Sequence, residues 1–276
     1  MGRKQLLIKE LLAKRDLLVQ LVLKNLKIRY STPVLGFFWA FLSPFLTGGV
    51  FYLVFSVILK VKIEEAPFFL YLMTAIFPWR FFQESLLSSA TSLVDNRNLI
   101  KESGFAHYLI PVSIVLANAV IFLPSLVILI IICLFVLKGL GLSILLLPFV
   151  LTVHLALTIG LAIFFSVVYV RWRDIKYVLE IALLLLFYIT PVFYSIYLVK
   201  SSFTQVLFRL YTLNPFVGIL NLYRIAFLKG FYGLLQDQIG NLALFVVPVS
   251  FAVLSLILGF CFYNKNKERI NDYLAY

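Results

Sequence analysis

Two ionisable side chains, Arg80 and Glu84, lie four residues apart inside an apolar run. On a helix this spacing places them one above the other on the same face. Charged groups at membrane depth are costly, and they usually pair or face a polar pathway. Three interpretations follow: the two residues neutralise each other, the apolar span ends earlier, or Arg80 faces a polar pathway and meets an anionic group of a transported molecule.

Other chemistry is scarce in this sequence. It contains no Gly-rich phosphate loop with its lysine, no His-Glu-x-x-His run and no paired carboxylates at membrane depth. We therefore predict that the chain is no enzyme, binds no metal and has no ATP site of its own. The two histidines are His107 and His154, and a lone histidine in an apolar run is usually an interhelical hydrogen bonder.

An intramembrane glycosyltransferase or acyltransferase is the alternative from a different class. Such an enzyme needs carboxylates or histidine at a membrane boundary, next to a lipid phosphate. Asp95, Glu102 and His107 form the one such group in the sequence. A purely structural membrane anchor is a third class, and the deep Arg80 argues against it.

The composition is that of a helical membrane protein. Of 276 residues, 63% are hydrophobic and 13% are charged, whereas soluble domains have roughly 45–50% and about 25%. Several apolar runs exceed the roughly 20 residues that cross a bilayer. The net charge of +12 is spread over short segments between these runs, which indicates contact with membrane lipids rather than nucleic acid.

These runs predict an all-α integral membrane protein with a single transmembrane domain over residues 1–276. The six predicted spans are about 34–59, 67–94, 108–137, 142–170, 175–199 and 240–263. Residues 5–30 precede them as an amphipathic helix, which is expected to lie in the membrane interface or, alternatively, to pack on a soluble partner.

Residues 200–239 contain two short apolar stretches on either side of an Asn214-Pro215 break. Each stretch is too short to span and each contains an arginine, Arg209 or Arg224. Burying either arginine in lipid would cost about 2.5–3.5 kcal/mol. The pattern therefore favours a re-entrant helical hairpin on the outer face over a seventh and an eighth span.

The distribution of lysine and arginine predicts the orientation. The N-terminal segment, the links 95–107 and 171–176 and the C-terminal tail together contain sixteen basic residues, and the other three links contain seven. The positive-inside rule then places both termini in the cytoplasm. The aromatic content of 17% would also suit a pathway for sugar rings.

Several stretches, in order along the whole chain, resemble the membrane subunit of bacterial polysaccharide ABC exporters of the O-antigen, teichoic-acid and capsule type. The residues that carry the resemblance are Arg29, Tyr30, Leu35, Gly36, Trp39 and Pro44; Ile76-Phe77-Pro78-Trp79; Asn98-Leu99-Ile100-Lys101; Arg173-Asp174-Ile175; Thr190-Pro191-Val192-Phe193-Tyr194; Leu213-Asn214-Pro215; and Tyr223-Arg224.

The resemblance implies a multi-pass permease in the bacterial inner membrane that works as a homodimer. Two copies of a separate ATPase subunit, which hold ATP and Mg²⁺, would dock on the cytoplasmic side. The cargo would be an undecaprenyl-diphosphate-linked, O-antigen-like polysaccharide, exported at the expense of ATP. Teichoic-acid or capsule export is the alternative, and a drug or small-lipid ABC permease is a more distant one.

The resemblance also suggests roles for particular residues. By charge and position, the residues expected at the lipid diphosphate are Lys27, Arg29 and Tyr30; the alternative is that these cations only anchor the chain. The candidates for lining the channel are Trp39, Trp79, Arg80, Tyr188 and Tyr194. The segment 95–107 would act as a cytoplasmic gate and contact the ATPase through Arg97, Asn98, Lys101 and Glu102. The outer gate would include Asn214, Pro215 and Arg224.

Overall fold

The computed structural model of this chain describes residues 15–30, 36–60, 66–100 and 106–274, and all regular structure in these ranges is helical. The α-helices are α1 (Arg15–Tyr30), α2 (Gly36–Phe51), α3 (Phe68–Asp95), α4 (Arg97–Ile100), α5 (Leu109–Val136), α6 (Leu147–Arg171), α7 (Ile175–Ile189), α8 (Ile196–Ser202), α9 (Gln205–Thr212), α10 (Pro215–Phe227), α11 (Phe231–Asn241) and α12 (Val247–Leu274). A π-helix, Tyr52–Ile58, continues α2; a 3-10 helix, Leu142–Leu146, leads into α6; and a second π-helix, Leu242–Val246, leads into α12.

Three of the described helical segments are long and apolar enough to cross a membrane. They are Leu109–Val136, Leu142–Arg171 and Leu242–Ile270, with mean hydropathies of 3.2, 2.3 and 2.5. At 1.5 Å per residue each exceeds the roughly 30 Å of hydrocarbon in a bilayer. Two shorter apolar helices, Phe45–Ile58 and Pro215–Phe227, accompany them. The all-α integral membrane class is therefore confirmed, and the six-span topology with its outer hairpin stays a prediction.

Two helix ends differ from the predicted span limits. Helix α7 ends at Ile189 rather than near residue 199, because Pro191 has no N–H to donate and restricts the residue before it to extended conformations. Thr190 indeed has φ −83° and ψ 144°. At the other end of the chain, α12 continues to Leu274, beyond the span limit predicted near residue 263.

Two clusters of buried apolar side chains hold the helices together. The larger surrounds α3 and α10, and twelve of the thirteen residues of α10 are buried. The smaller lies at one end of the bundle and joins α1, the end of α3, the start of α5 and the ends of α6 and α12. Its buried members include Leu21, Leu93, Leu109, Val167 and Ile270. Both described chain ends therefore lie at the same end of the bundle.

Helices α6 and α12 pack against each other through small residues. A Cβ atom added at Gly160 would lie 2.3 Å from the carbonyl carbon of Ser255, and one added at Gly259 would lie 2.3 Å from the carbonyl oxygen of Gly160. The Ser255 hydroxyl donates a hydrogen bond to the Leu157 carbonyl at 3.2 Å. Small residues allow this close backbone approach, which is a common way to join helices within a membrane.

Gly160→Ala is expected to destabilise the protein, because the added methyl group meets backbone atoms that cannot rotate away. We expect a loss of about 1–3 kcal/mol, the usual cost of overpacking, seen as a lower midpoint of thermal unfolding in detergent. Gly49→Ala is the matched control, since a Cβ there meets no atom within 4 Å. An equal effect of the two substitutions would contradict the close contact.

Candidate functional site

Helix α1 is attached to the bundle by polar side chains at successive levels. Lys24 Nζ donates to Asn96 Oδ1 at 3.0 Å, just beyond the end of α3. Asn25 Nδ2 donates to Ser113 Oγ on α5 at 2.9 Å. These contacts bring the last turn of α1, which contains Arg29, against the middle of α3.

Arg29 joins the two charged residues predicted on the second span. Its Nη2 atom lies 2.5 Å from Glu84 Oε2, and Arg80 Nη2 lies 3.5 Å from Glu84 Oε1. Arg29 also donates to Asn118 Oδ1 on α5. We name Arg29, Arg80, Glu84 and Asn118 the charged cluster. The pairing of Arg80 with Glu84 is confirmed, and the partnership with Arg29 is an addition that sequence spacing did not predict.

The charged cluster has the chemistry of an anion site. Two guanidinium groups share one carboxylate, so the three ionised side chains carry one net positive charge. They remain accessible, because the side chains of Arg29 and Glu84 are each 40% exposed and that of Arg80 is 30% exposed. Arginine binds carboxylate and phosphate oxygens with the same fork geometry. A phosphate group can therefore replace the Glu84 carboxylate as the partner of Arg29.

The cluster lies deep along α3. Arg80 follows the first residue of this helix by twelve positions, or about 18 Å at 1.5 Å per residue. The whole helix has 28 residues, about 42 Å on the same basis. Glu84 and Arg80 are therefore near the middle of the second predicted span, where an isolated charge would be costly and ion pairs would lower that cost.

A groove of about 260 Å³ opens beside the charged cluster, between α2, α3 and α7. Three of the five predicted channel-lining residues, Trp79, Arg80 and Tyr188, contribute to its wall. Trp79 is buried and packs edge-on against Phe216, so only a small part of its ring reaches the groove. Tyr188 is 54% exposed. The groove therefore combines one cation with aromatic surface.

Tyr194 lies away from this groove, at the break after α7. Its hydroxyl donates to the Ile189 carbonyl at 2.6 Å and lies 3.3 Å from the hydroxyl of Tyr211. Its own carbonyl accepts a hydrogen bond from the Tyr71 hydroxyl at 2.9 Å. Tyr194 thus satisfies backbone groups that the end of the helix leaves without intrahelical partners.

Arg224 is enclosed by other parts of the protein. The sequence argument considered the cost of burying Arg224 in lipid, whereas the structure buries it inside the protein, where this side chain is 0% exposed. Its Nη2 atom donates to the carbonyls of Pro191 at 2.6 Å and Val192 at 3.0 Å, and its Nη1 atom donates to Asn221 Oδ1 at 3.1 Å. These acceptors replace the water that the guanidinium would otherwise need, so the cost of an arginine in lipid does not apply to this position.

An aromatic ring completes the environment of this arginine. The Arg224 guanidinium carbon lies 3.5 Å from the ring centroid of Tyr71, a cation–π contact that is strong when water is excluded. We name Arg224, Tyr71, Asn221 and the carbonyls of residues 191 and 192 the Arg224 clasp. The clasp satisfies the backbone where α7 stops and the chain is not helical.

Asn214 and Pro215 begin α10 next to the clasp. The Asn214 side chain accepts a hydrogen bond from the Phe216 N–H at 3.0 Å, as an N-cap residue does, and donates to Thr190 Oγ1 at 3.0 Å. Pro215 occupies the first helical turn, where its missing N–H costs little. Both residues therefore connect the start of α10 to the end of α7.

The other predicted site residues are spread over the rest of the chain. Lys27 is exposed on α1, and Arg97 and Asn98 are exposed on α4. Two others, Lys101 and Glu102, lie outside the described residues, as do the side chains of Tyr30 and Trp39.

Comparison with known proteins decides the family. Residues 16–228 match the ABC-2 type transporter family. This chain belongs to the ABC-2 type transporter family. An O-antigen export system permease protein RfbA of Klebsiella pneumoniae is 29% identical over 262 residues, which cover 94% of this chain and 95% of that protein. The RfbA permease of Myxococcus xanthus is 30% identical over 221 residues, or 80% and 84% of the two chains. The resemblance drawn from the sequence motifs is thereby confirmed.

The histidine inside the fourth predicted span of this ABC-2 permease has a structural role. His154 is buried, and its Nδ1 atom lies 3.2 Å from the Tyr223 hydroxyl on α10. The expectation of an interhelical hydrogen bond is confirmed. Within the ranges that the structure describes, no three metal-ligating side chains come together, so no site for a metal cofactor can be assigned there.

Among the partners of the arginines that sequence reasoning missed in this ABC-2 permease are Asn118 and Tyr71. Asn118 is an uncharged amide in a highly apolar span, and a polar residue at that depth is a usable signal for a buried contact. Tyr71 gave no such signal, because tyrosine is common throughout the sequence. Its position over Arg224 depends on how α3 packs against α10.

Proposed function

We propose that this ABC-2 permease exports an undecaprenyl-diphosphate-linked, O-antigen-like polysaccharide across the bacterial inner membrane. The observation that carries the proposal is the match, over nearly the full length of both chains, with a permease named for O-antigen export. The charged cluster supports it, because a lipid diphosphate requires cations that reach membrane depth.

The working unit in this proposal is a homodimer with two ATPase subunits on the cytoplasmic side. Membership of the ABC-2 family supports a separate ATPase, which would hold ATP and Mg²⁺. The end of the bundle that contains α1, α4 and the end of α12 faces the cytoplasm in this arrangement, in agreement with its excess of basic residues. Residues 95–107 then form the ATPase contact, with Arg97 and Asn98 exposed on α4.

We place the arrival of the diphosphate at the last turn of α1. Lys27 and Tyr30 flank Arg29 in sequence, and Arg29 is already held near α3 by Glu84. The incoming diphosphate displaces the Glu84 carboxylate from Arg29, while Arg80 keeps that carboxylate as its partner. The exchange leaves no ion without a counterion, which keeps its cost low at this depth.

The sugar chain follows the groove between α2, α3 and α7. The aromatic rings there offer stacking surface with few hydrogen-bond partners, which suits a cargo that must slide rather than stay bound. Trp39, Trp79, Arg80 and Tyr188 line this pathway in the proposal, with Tyr194 nearer the outer side. Asn214, Pro215 and Arg224 hold the outer gate indirectly, by fixing the break after α7.

Teichoic-acid or capsule export differs from this proposal only in which glycan is exported. A drug or small-lipid permease differs in that its cargo contains no glycan. Deleting the gene in its native host separates them. We expect surface glycan to be lost and the undecaprenyl-diphosphate-linked polymer to accumulate inside the inner membrane. The composition of that polymer identifies the glycan class. Unchanged surface glycan together with new sensitivity to an apolar drug would refute the proposal.

A further inference from the structure

A separate cavity of about 250 Å³ lies between the ends of α6 and α12, at the bundle end that contains both described chain ends. Its polar wall is formed by three cations, Arg171, Lys265 and Arg269, together with Asn266. Apolar side chains, including Val168 and Phe262, form its apolar wall. The cavity lies apart from the charged cluster, and none of the residues discussed there contributes to it.

The three cations of this cavity are available to a ligand. None of them takes part in an ion pair with any residue whose side chain the structure describes. Arg171 lies over the Trp172 ring, with 4.8 Å from its guanidinium carbon to the ring centroid. Lys265 and Arg269 are four residues apart on α12 and therefore share one face of that helix.

The position of the cavity relative to the membrane is set by its two helices. The apolar segment Leu142–Arg171 ends at Arg171, so this residue is at the boundary between hydrocarbon and headgroups. Lys265 and Arg269 follow the apolar part of α12, where its sequence becomes polar. Val168 and Phe262 precede these cations and remain at the depth of acyl chains. An arginine beside a tryptophan is also typical of the headgroup layer.

We propose that this cavity binds an anionic phospholipid, with its phosphate at Arg171, Lys265 and Arg269 and an acyl chain against Val168 and Phe262. Basic pockets between membrane helices on the cytoplasmic side are suited to such headgroups. A soluble subunit reaches the cations but not the apolar wall, which lies at hydrocarbon depth. The site does not depend on the identity of the exported cargo.

The test uses the full-length permease purified with its ATPase subunits. Tetraoleoyl cardiolipin is titrated in detergent, and bound lipid is counted by native mass spectrometry. We expect the triple variant Arg171→Gln, Lys265→Gln, Arg269→Gln to bind the lipid on the order of 100-fold more weakly, since each surface cation contributes roughly fivefold. The matched control is Lys138→Gln, Lys200→Gln, Lys229→Gln, three exposed lysines outside the cavity, which should bind like the parent protein.

Two further measurements decide the source of the phosphate and exclude misfolding. Inorganic pyrophosphate at equal concentration should not displace the lipid, because it lacks the acyl chain; displacement would overturn the assignment to a lipid. The single variant Lys265→Gln should weaken binding about fivefold without changing the thermal midpoint. Unchanged lipid binding in the triple variant would overturn the proposal. If that variant also lost its ATPase subunits, the cavity would be a contact for the ATPase rather than a lipid site.

Discussion

Export of the lipid-linked glycan is expected to fall between ten- and a hundredfold when Arg29 is replaced by Gln. The guanidinium contacts both Glu84 and Asn118, and its charge is the one that α1 brings to the middle of α3. A charge-assisted hydrogen bond contributes about 1.5–3 kcal/mol, which corresponds to that range of rates. Surface glycan per cell, at equal amounts of permease in the membrane, is the quantity to measure.

Lys267→Gln is the matched control for this change, because Lys267 is exposed near the end of α12 and lies outside the charged cluster. It should leave export unchanged. Glu84→Gln distinguishes a binding role for Arg29 from a purely structural one. If the Glu84 carboxylate competes with the diphosphate, Glu84→Gln binds the cargo more tightly. If the ion pair is only structural, Glu84→Gln and Arg29→Gln both lose export. Full export by Arg29→Gln contradicts the assignment of the cargo entrance.

Arg224→Met is expected to cost roughly 3–5 kcal/mol of stability, the largest effect of any single substitution considered. The change removes the donor to the carbonyls of Pro191 and Val192 and to Asn221, and leaves those acceptors buried. Each unsatisfied buried acceptor costs about 1–3 kcal/mol. A fall of about 10 °C in the thermal midpoint is therefore expected in detergent.

Arg209→Met provides the control, since it makes the same change at an exposed arginine on α9. Exposed substitutions of this kind usually alter stability by no more than about 0.5 kcal/mol. Lysine at position 224 should recover only part of the loss, because a single ammonium group does not reproduce the fork that holds both backbone carbonyls and Asn221. Equal stability of the two methionine variants would show that the Arg224 clasp does not hold the break.

Local patterns were sufficient for part of this fold. Long apolar runs predicted the helices of the membrane domain, although the end of α7 before Pro191 was missed, since the fifth span was predicted to continue to about residue 199. The spacing of Arg80 and Glu84 predicted their ion pair. The helices and this ion pair depend on residues close together in the chain, so they can be read from the sequence.

Contacts between distant segments could not be predicted in the same way. Arg29 and Glu84 are 55 positions apart, and Arg224 is 33 positions from Pro191. The sequence argument used only the general cost of burying an arginine in lipid, and it could not show that Arg224 is buried inside the protein. That cost assumes an unsatisfied guanidinium, and the broken backbone after α7 supplies the acceptors that cancel it.

The central claim, ATP-driven export of a lipid-linked glycan, is tested most directly in vesicles that contain only the permease and its ATPase subunit. Undecaprenyl-diphosphate-linked polysaccharide is placed in the outer leaflet, with the ATPase facing outward, and its protection from an added glycosidase is followed over time. Protection that requires ATP and disappears when the ATPase loses its phosphate-loop lysine is the predicted result. Steady ATP hydrolysis without any glycan becoming protected would contradict the claim.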